Sequence, residues 1–83
     1  MNISLNTLDQ SQSTIADISV IGNRVRMSRQ AAGYSIEDLA VTCGLTNVEI
    51  TRIEEGQDID LHHLKRIAPA LQVSVSSLLD GRG

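Results

Sequence analysis

The chain has 83 residues, a net charge of −3 at pH 7 and a pI near 5.1. This length suits one small domain, and its core must be aliphatic because Tyr34 is the only aromatic residue. The acidic balance argues against a protein that coats nucleic acid regardless of sequence, although it is compatible with a specific nucleic-acid binder.

The sequence contains no pattern for membrane insertion or secretion. It lacks a run of about 18 apolar residues, and its N-terminus has no basic region followed by an apolar block. The single cysteine, Cys43, excludes an internal disulfide and indicates a reducing compartment. We therefore expect a cytoplasmic protein.

Composition divides the chain into three segments. Residues 1–17 are rich in Ser, Asn, Gln and Thr, which favours a flexible polar tail, or alternatively an arm that docks on a partner subunit. Residues 18–80 carry the apolar periodicity of a helical domain. Residues 81–83 form a frayed C-terminus.

A first helix is predicted from about Asp17 to Ala32, because Ile18, Ile21 and Val25 recur at helical spacing. Gly33 then suits the left-handed position just beyond a helix end.

The next segment predicts two short helices joined by a tight turn. Ser35 begins the second helix as a cap with Asp38 as its reciprocal partner, and Gly44 ends that helix. Thr46 caps the third helix, with Glu49 three residues later. This layout is typical of a helix-turn-helix, whose second helix enters the DNA major groove.

Two further helices complete the predicted all-α fold. Asp58 or Asp60 caps a fourth helix, in which Pro69 removes a backbone donor and should bend or shorten the helix. Ser74 caps a short fifth helix with a compact apolar patch, interpreted as either core or dimer contact: Val75, Leu78 and Leu79.

From about Ile21 to Leu79 the chain resembles the lambda-repressor-like (Cro/C1, or Xre) DNA-binding domains. The resemblance rests on these motifs: Arg24-Val25-Arg26, Ala32-Gly33-Tyr34-Ser35, Leu39-Ala40, Gly44-Leu45-Thr46, Ile50, Ile53-Glu54-Glu55-Gly56, and the stretch from Leu64 through Leu71-Gln72-Val73-Ser74 to Leu79. It implies a compact five-helix bundle, encoded by a bacterium or phage, that binds a palindromic operator as a homodimer. It also implies an inward ion pair between Arg29 and Glu54. The dimer contact would use Leu71, Val75, Leu78 and Leu79.

Two positions depart from the family pattern. Ile36 stands where the family often has a DNA-contacting Gln. The loop Gln57-Asp58-Ile59-Asp60 is acidic where the family often has basic residues that hold phosphate. DNA affinity is therefore expected to be moderate or to depend strongly on dimerisation.

The outward face of the third helix carries the candidate base-reading residues Asn47, Val48, Glu49, Thr51 and Arg52. Asn can bond an adenine edge, Val can pack on a thymine methyl, Glu can accept from cytosine, and Arg can fork onto guanine. Two alternatives remain open: Glu49 is equally suited to capping Thr46, and Arg52 to pairing with Glu55 or Glu49. The candidate phosphate contacts are Arg24, Arg26, Ser35 and Thr46.

The sequence offers no enzyme or cofactor pattern. His62 and His63 are adjacent, so on a helix they diverge by about 100° and cannot share one metal. His63 with Cys43 lacks a third ligand, and Cys43 is expected to be a small buried side chain. No phosphate-binding glycine loop or nucleophile–base arrangement stands out.

The sequence therefore predicts a dimeric DNA-binding regulator, as an autoregulating repressor or a controller protein of a mobile element, phage or restriction system. One alternative is the antitoxin of a toxin–antitoxin pair, in which the polar tail binds a toxin. The other is a protein-interaction module that has lost DNA binding, suggested by Ile36 and the acidic loop.

Overall fold

A computed structural model describes residues 18–80, and that part of the chain contains five α-helices. They are α1 (Ile18–Ala31), α2 (Ile36–Cys43), α3 (Asn47–Glu54), α4 (Leu61–Leu71) and α5 (Val75–Asp80). The five-helix all-α bundle is confirmed. The expected tail at 1–17 and the frayed end at 81–83 lie outside the described residues.

The helices enclose one aliphatic core. α1 packs against α3 and α5, α2 packs against α3 and α4, and α4 also contacts α5. The fully buried large side chains come from all five helices: Val25, Leu39, Ile50, Ile53, Leu64, Ile67 and Leu78. Within residues 18–80, no helix has the length and apolar character needed to cross a membrane.

The close contact between α1 and α3 depends on Gly22. A Cβ at this position would collide with the carbonyl oxygen of Ile53 and would lie 2.8 Å from that of Glu54. Only a residue without a side chain allows the two backbones to approach this closely. The C-terminal end of α3 is thereby fixed against α1.

Local capping explains where the two central helices begin and end. Ser35 and Thr46 each form a reciprocal capping box with the residue three positions later. Gly44, which ends α2, has φ of 77°, in the left-handed region that favours glycine. The chain therefore turns sharply between α2 and α3.

α4 begins at the cap Asp60, whose carboxylate accepts the His62 amide at 2.8 Å. The helix continues through Pro69 to Leu71, so the proline does not shorten the helix at its own position. Pro69 removes one intrahelical donor, and only Ala70 and Leu71 follow it in the helix. Gln72, with φ of 60°, then ends α4.

The apolar patch on α5 is divided between core and surface. Leu71 and Leu78 are 6% and 1% exposed and belong to the protomer's own core. This corrects the expectation that these two residues form a dimer contact, since they have little surface left to offer. Val75 and Leu79 are partly buried and remain candidates for that contact.

Candidate nucleic-acid interface

The two faces of α3 differ sharply in burial. Ile50 and Ile53 are at most 1% exposed and point into the core. Asn47, Val48 and Arg52 are exposed on the opposite face, with Val48 63% accessible. Thr51 is half-buried at the edge of the same face. A valine this exposed contributes little to the fold, so the outer face of α3 remains accessible to solvent.

Glu49 caps its own helix. One carboxylate oxygen accepts the Thr46 backbone amide at 2.9 Å and the Thr46 hydroxyl at 3.1 Å, and the hydroxyl accepts the Glu49 amide at 3.1 Å. These bonds to the Thr46 backbone and side chain lower the pKa of Glu49. The sequence left two roles open for Glu49, capping α3 and contacting cytosine. In the structure Glu49 forms the cap, so its carboxylate already accepts hydrogen bonds from Thr46.

His63 reaches the same carboxylate from α4. Its Nε2 lies 3.5 Å from the second oxygen of Glu49. The sequence argument considered His63 only as a metal ligand and missed this contact. Its position in the first turn of an amphipathic helix gives no indication of a partner in α3.

Arg66 is a second α4 residue that the sequence did not single out. Its Nε donates to the carbonyl oxygen of Cys43 at 3.0 Å, at the C-terminal end of α2. A cation is favourable at a helix C-terminus because the last carbonyls are unpaired. Arg66 thus secures the turn that precedes α3.

The implied ion pair lies at the other end of α3. Arg29 donates to both carboxylate oxygens of Glu54, at 2.6 and 3.0 Å, and to the carbonyl oxygen of Tyr34 at 2.9 Å. Arg29 is 9% and Glu54 5% exposed. The hydrogen bonds to Glu54 raise the pKa of Arg29 despite its burial. An arginine that forms a forked ion pair in this way fixes the orientation of α3 against α1.

The two arginines predicted to contact phosphate, Arg24 and Arg26, both have intramolecular partners. Arg24 donates to the carbonyl oxygens of Leu78 and Leu79, at 3.2 and 2.7 Å, near the end of α5. Arg26 lies with its Nε 3.5 Å from a Glu54 carboxylate oxygen. Arg24 therefore has an intramolecular role at α5 that its predicted phosphate contact did not include, and Arg26 lies at the C-terminal end of α3.

The remaining phosphate candidates are both helix caps. Ser35 and Thr46 are exposed at the starts of α2 and α3. Asp38 accepts the Ser35 backbone amide at 3.0 Å, and the hydrogen bonds from Ser35 lower the pKa of that carboxyl. Hydroxyls and backbone amides at helix starts are groups that can contact phosphate.

Among the arginine and lysine side chains of residues 18–80, Arg52 and Lys65 alone have no intramolecular partner. Glu49 and Glu55, expected as partners of Arg52, bind His63 and Gln57 instead. The guanidinium of Arg52 is therefore available on the outer face of α3.

Comparison with known proteins identifies the fold's family. The helix-turn-helix family HTH_3 matches residues 25–78. This chain belongs to the HTH_3 family. Its members are DNA-binding regulators without enzymatic activity.

Three HTH_3 relatives illustrate the similarity. The HTH-type transcriptional regulator SlrR of Bacillus subtilis is 33% identical over 63 residues, which are 74% of this chain and 41% of SlrR. The restriction-modification controller protein C.AhdI from Aeromonas hydrophila is 33% identical, with a TM-score of 0.72 over 75% of this chain and 96% of C.AhdI. SinR, a master regulator for biofilm formation crystallised with DNA, is 30% identical, with a TM-score of 0.66 over 70% of this chain and 95% of the SinR chain.

The HTH_3 chain spans about half the length of its curated relatives, 41% of SlrR and 57% of SinR. Within residues 18–80, no group of three or more His, Cys, Asp or Glu residues is arranged to hold a metal ion. Cys43 is buried, and desolvation raises the pKa of its thiol.

Proposed function

We propose that this domain is a sequence-specific DNA-binding transcriptional regulator that acts as a homodimer in the cytoplasm of a bacterium. α3 would enter the major groove, and the α3 of the partner subunit would enter the next groove, about 34 Å away. Such a dimer matches a palindromic operator.

One observation carries the proposal. α3 buries two isoleucines, and a buried, forked ion pair fixes its C-terminal end, while the opposite face stays exposed: Asn47, Val48 and Arg52. The side chains on that face have the chemistry that distinguishes base pairs in the major groove. An exposed face of this kind on a rigidly held helix is suited to reading DNA.

The groups divide into those that read and those that position. We assign base contacts to Asn47, Val48 and Arg52, with Thr51 at the edge, and phosphate contacts to the starts of α2 and α3. Glu49 is left out of the reading set because its carboxylate is occupied by the cap and His63.

The dimer contact is proposed to involve the surface around α5, where Val75 and Leu79 remain partly accessible. Arg24 supports this surface by bonding the last carbonyls of α5. The similarity to the restriction-modification controller protein C.AhdI supports a regulatory role. We propose that the regulator acts on its own promoter.

The first test is a titration of the protein with DNA from upstream of its own gene at two salt concentrations, with a scrambled duplex as control. We expect tight, salt-sensitive binding to the upstream DNA alone. A folded protein that binds neither duplex would contradict the proposal.

Arg52→Ala tests the reading face itself. We expect specific affinity to fall about tenfold, because one forked arginine–guanine contact contributes about 1–3 kcal/mol. Lys65→Ala removes the same charge from α4, where the lysine also lacks an intramolecular partner, and is expected to bind almost as wild type. Wild-type operator affinity in Arg52→Ala would refute the role of that residue.

A second candidate function is binding to a protein partner, such as a toxin or another regulator. It is favoured by the commitment of Arg24, Arg26, Arg29 and Arg66 to contacts inside the protein, which leaves few cations for phosphate. Co-purification of a defined partner by a folded protein that retards no upstream DNA would support it.

A further inference from the structure

The first turn of α3 is held by a contact that the helix-turn-helix layout does not require. Thr46 and Glu49 already complete a capping box. The second oxygen of Glu49 nevertheless lies 3.5 Å from Nε2 of His63, and the His63 side chain is only 23% exposed. His63 of α4 therefore contacts the N-terminal end of α3, the helix that enters the major groove in the proposed function.

We infer that His63 is a positioning residue: its imidazolium holds the Glu49 carboxylate in the cap, and so fixes the first turn of α3 for DNA binding. The inference rests on the proposed function. It predicts that specific DNA affinity depends on pH near neutrality, through a residue that need not touch DNA.

The titratable groups around the Glu49 carboxylate come from α4 and from the end of α2, and His63 is the one in contact with it at 3.5 Å. Arg66 on α4 and Cys43 at the end of α2 also act on Glu49. A guanidinium stays charged, and the buried thiol stays neutral because desolvation raises its pKa. Of the α1 arginines, Arg26 and Arg29 lie at the other end of α3, with Glu54, and Arg24 contacts α5. An imidazole is the side chain that ordinarily changes charge between about pH 5 and 8.

The direction of the pH dependence follows from the contact between His63 and Glu49. A protonated His63 attracts the Glu49 carboxylate, whereas a neutral ring releases one of its oxygens. Since this pair is partly exposed, the change is modest, and we expect about a threefold gain in specific affinity from about pH 8 to about pH 6.

Three variants separate positioning from a direct effect of the histidine charge on DNA. His63→Gln should flatten the pH profile. Glu49→Gln should flatten it too, because a glutamine can still cap α3 but cannot form the ion pair. His62→Gln is the matched control, since only the backbone amide of His62 has a partner, and it should keep the wild-type profile.

The affinities are measured on operator DNA between about pH 6 and 8. A wild-type pH profile in Glu49→Gln would overturn the inference, because His63 would then act on DNA directly. Loss of the profile in His62→Gln would also overturn it.

An NMR titration of the free protein keeps the test independent of the proposed function. The amide signals of Asn47 and Val48 should follow the protonation of His63 in wild type and lose that response in Glu49→Gln. If no DNA binds but this response is present, the proposed function fails and the positioning contact stands. If the response is absent, the positioning contact is refuted whatever the DNA result.

Discussion

The two ends of α3 are held in different ways. At the C-terminal end, Gly22 allows α1 to approach the α3 backbone closely. Arg29 there binds the carboxylate of Glu54, a residue that is 5% exposed. At the N-terminal end, Thr46 and Glu49 form an exposed local cap, supported by one contact from α4. The comparison shows a helix anchored deep in the fold at one end and offered to solvent at the other.

The largest expected loss of stability comes from breaking the anchored end. Glu54→Ala leaves the Arg29 guanidinium buried without its carboxylate, and we expect the free energy of unfolding to fall by about 3–5 kcal/mol. Chemical denaturation measures the loss. Glu55→Ala, at the exposed neighbour, should change stability little, and equal losses in the two variants would contradict the role assigned to the pair.

Gly22→Ala tests the same end through packing. The added methyl meets the carbonyl oxygens of Ile53 and Glu54, so α1 and α3 must separate, and we expect a loss of about 2–3 kcal/mol. The measurement is the midpoint of thermal unfolding of Gly22→Ala, with Asn23→Ala, at an exposed position of α1, as the control. An unchanged midpoint in Gly22→Ala would show that the two helices can move apart freely.

Thr46→Ala acts at the exposed N-terminal end of α3 and should destabilise the protein less. Removing one helix cap costs about 1 kcal/mol. Ser35→Ala removes the equivalent cap of α2 and should lose a similar amount in the same denaturation experiment. If Thr46→Ala were as damaging as Glu54→Ala, the difference between the two ends of α3 would disappear.

Mild acid should weaken the capping boxes at the starts of α2 and α3. The caps lower the pKa of Glu49 and of Asp38 below their usual values of 4.5 and 3.8. A carboxyl with a lowered pKa contributes stability that is present above its unfolded pKa and is lost as the pH falls through its folded pKa. We expect unfolding to become easier from about pH 5 to about pH 3. Glu49→Gln should reduce this acid sensitivity, and an unaltered pH dependence would contradict the assignment.

The local features of the fold could be predicted from the sequence because neighbouring residues determine them. The boxes at Ser35 and Thr46 join residues three apart, and Gly33 and Gly44 have the positive φ expected at helix ends. Pro69 was harder to place, because its effect depends on how soon the helix ends after it.

Long-range partners could not be predicted from spacing alone. Arg24 meets carbonyls 54 and 55 residues away, so its cluster with Arg26 resembled a free basic patch in the sequence. The contact from His63 to Glu49 was missed for the same reason. The pair of Arg29 with Glu54 was expected only through the family resemblance, since helical periodicity does not identify inward charges.

The contact of α3 with α1 has a consequence for engineering. The apolar side chains of α2 and α3 are covered by α4 and α1, respectively. The buried partner of Glu54 is Arg29 of α1. A peptide of residues 34–56 would leave these apolar side chains and the carboxylate in water, and isolated helices this short are marginal. Transplanting α3 into another scaffold therefore requires a host that supplies both a glycine opposite its last turn and a buried cation.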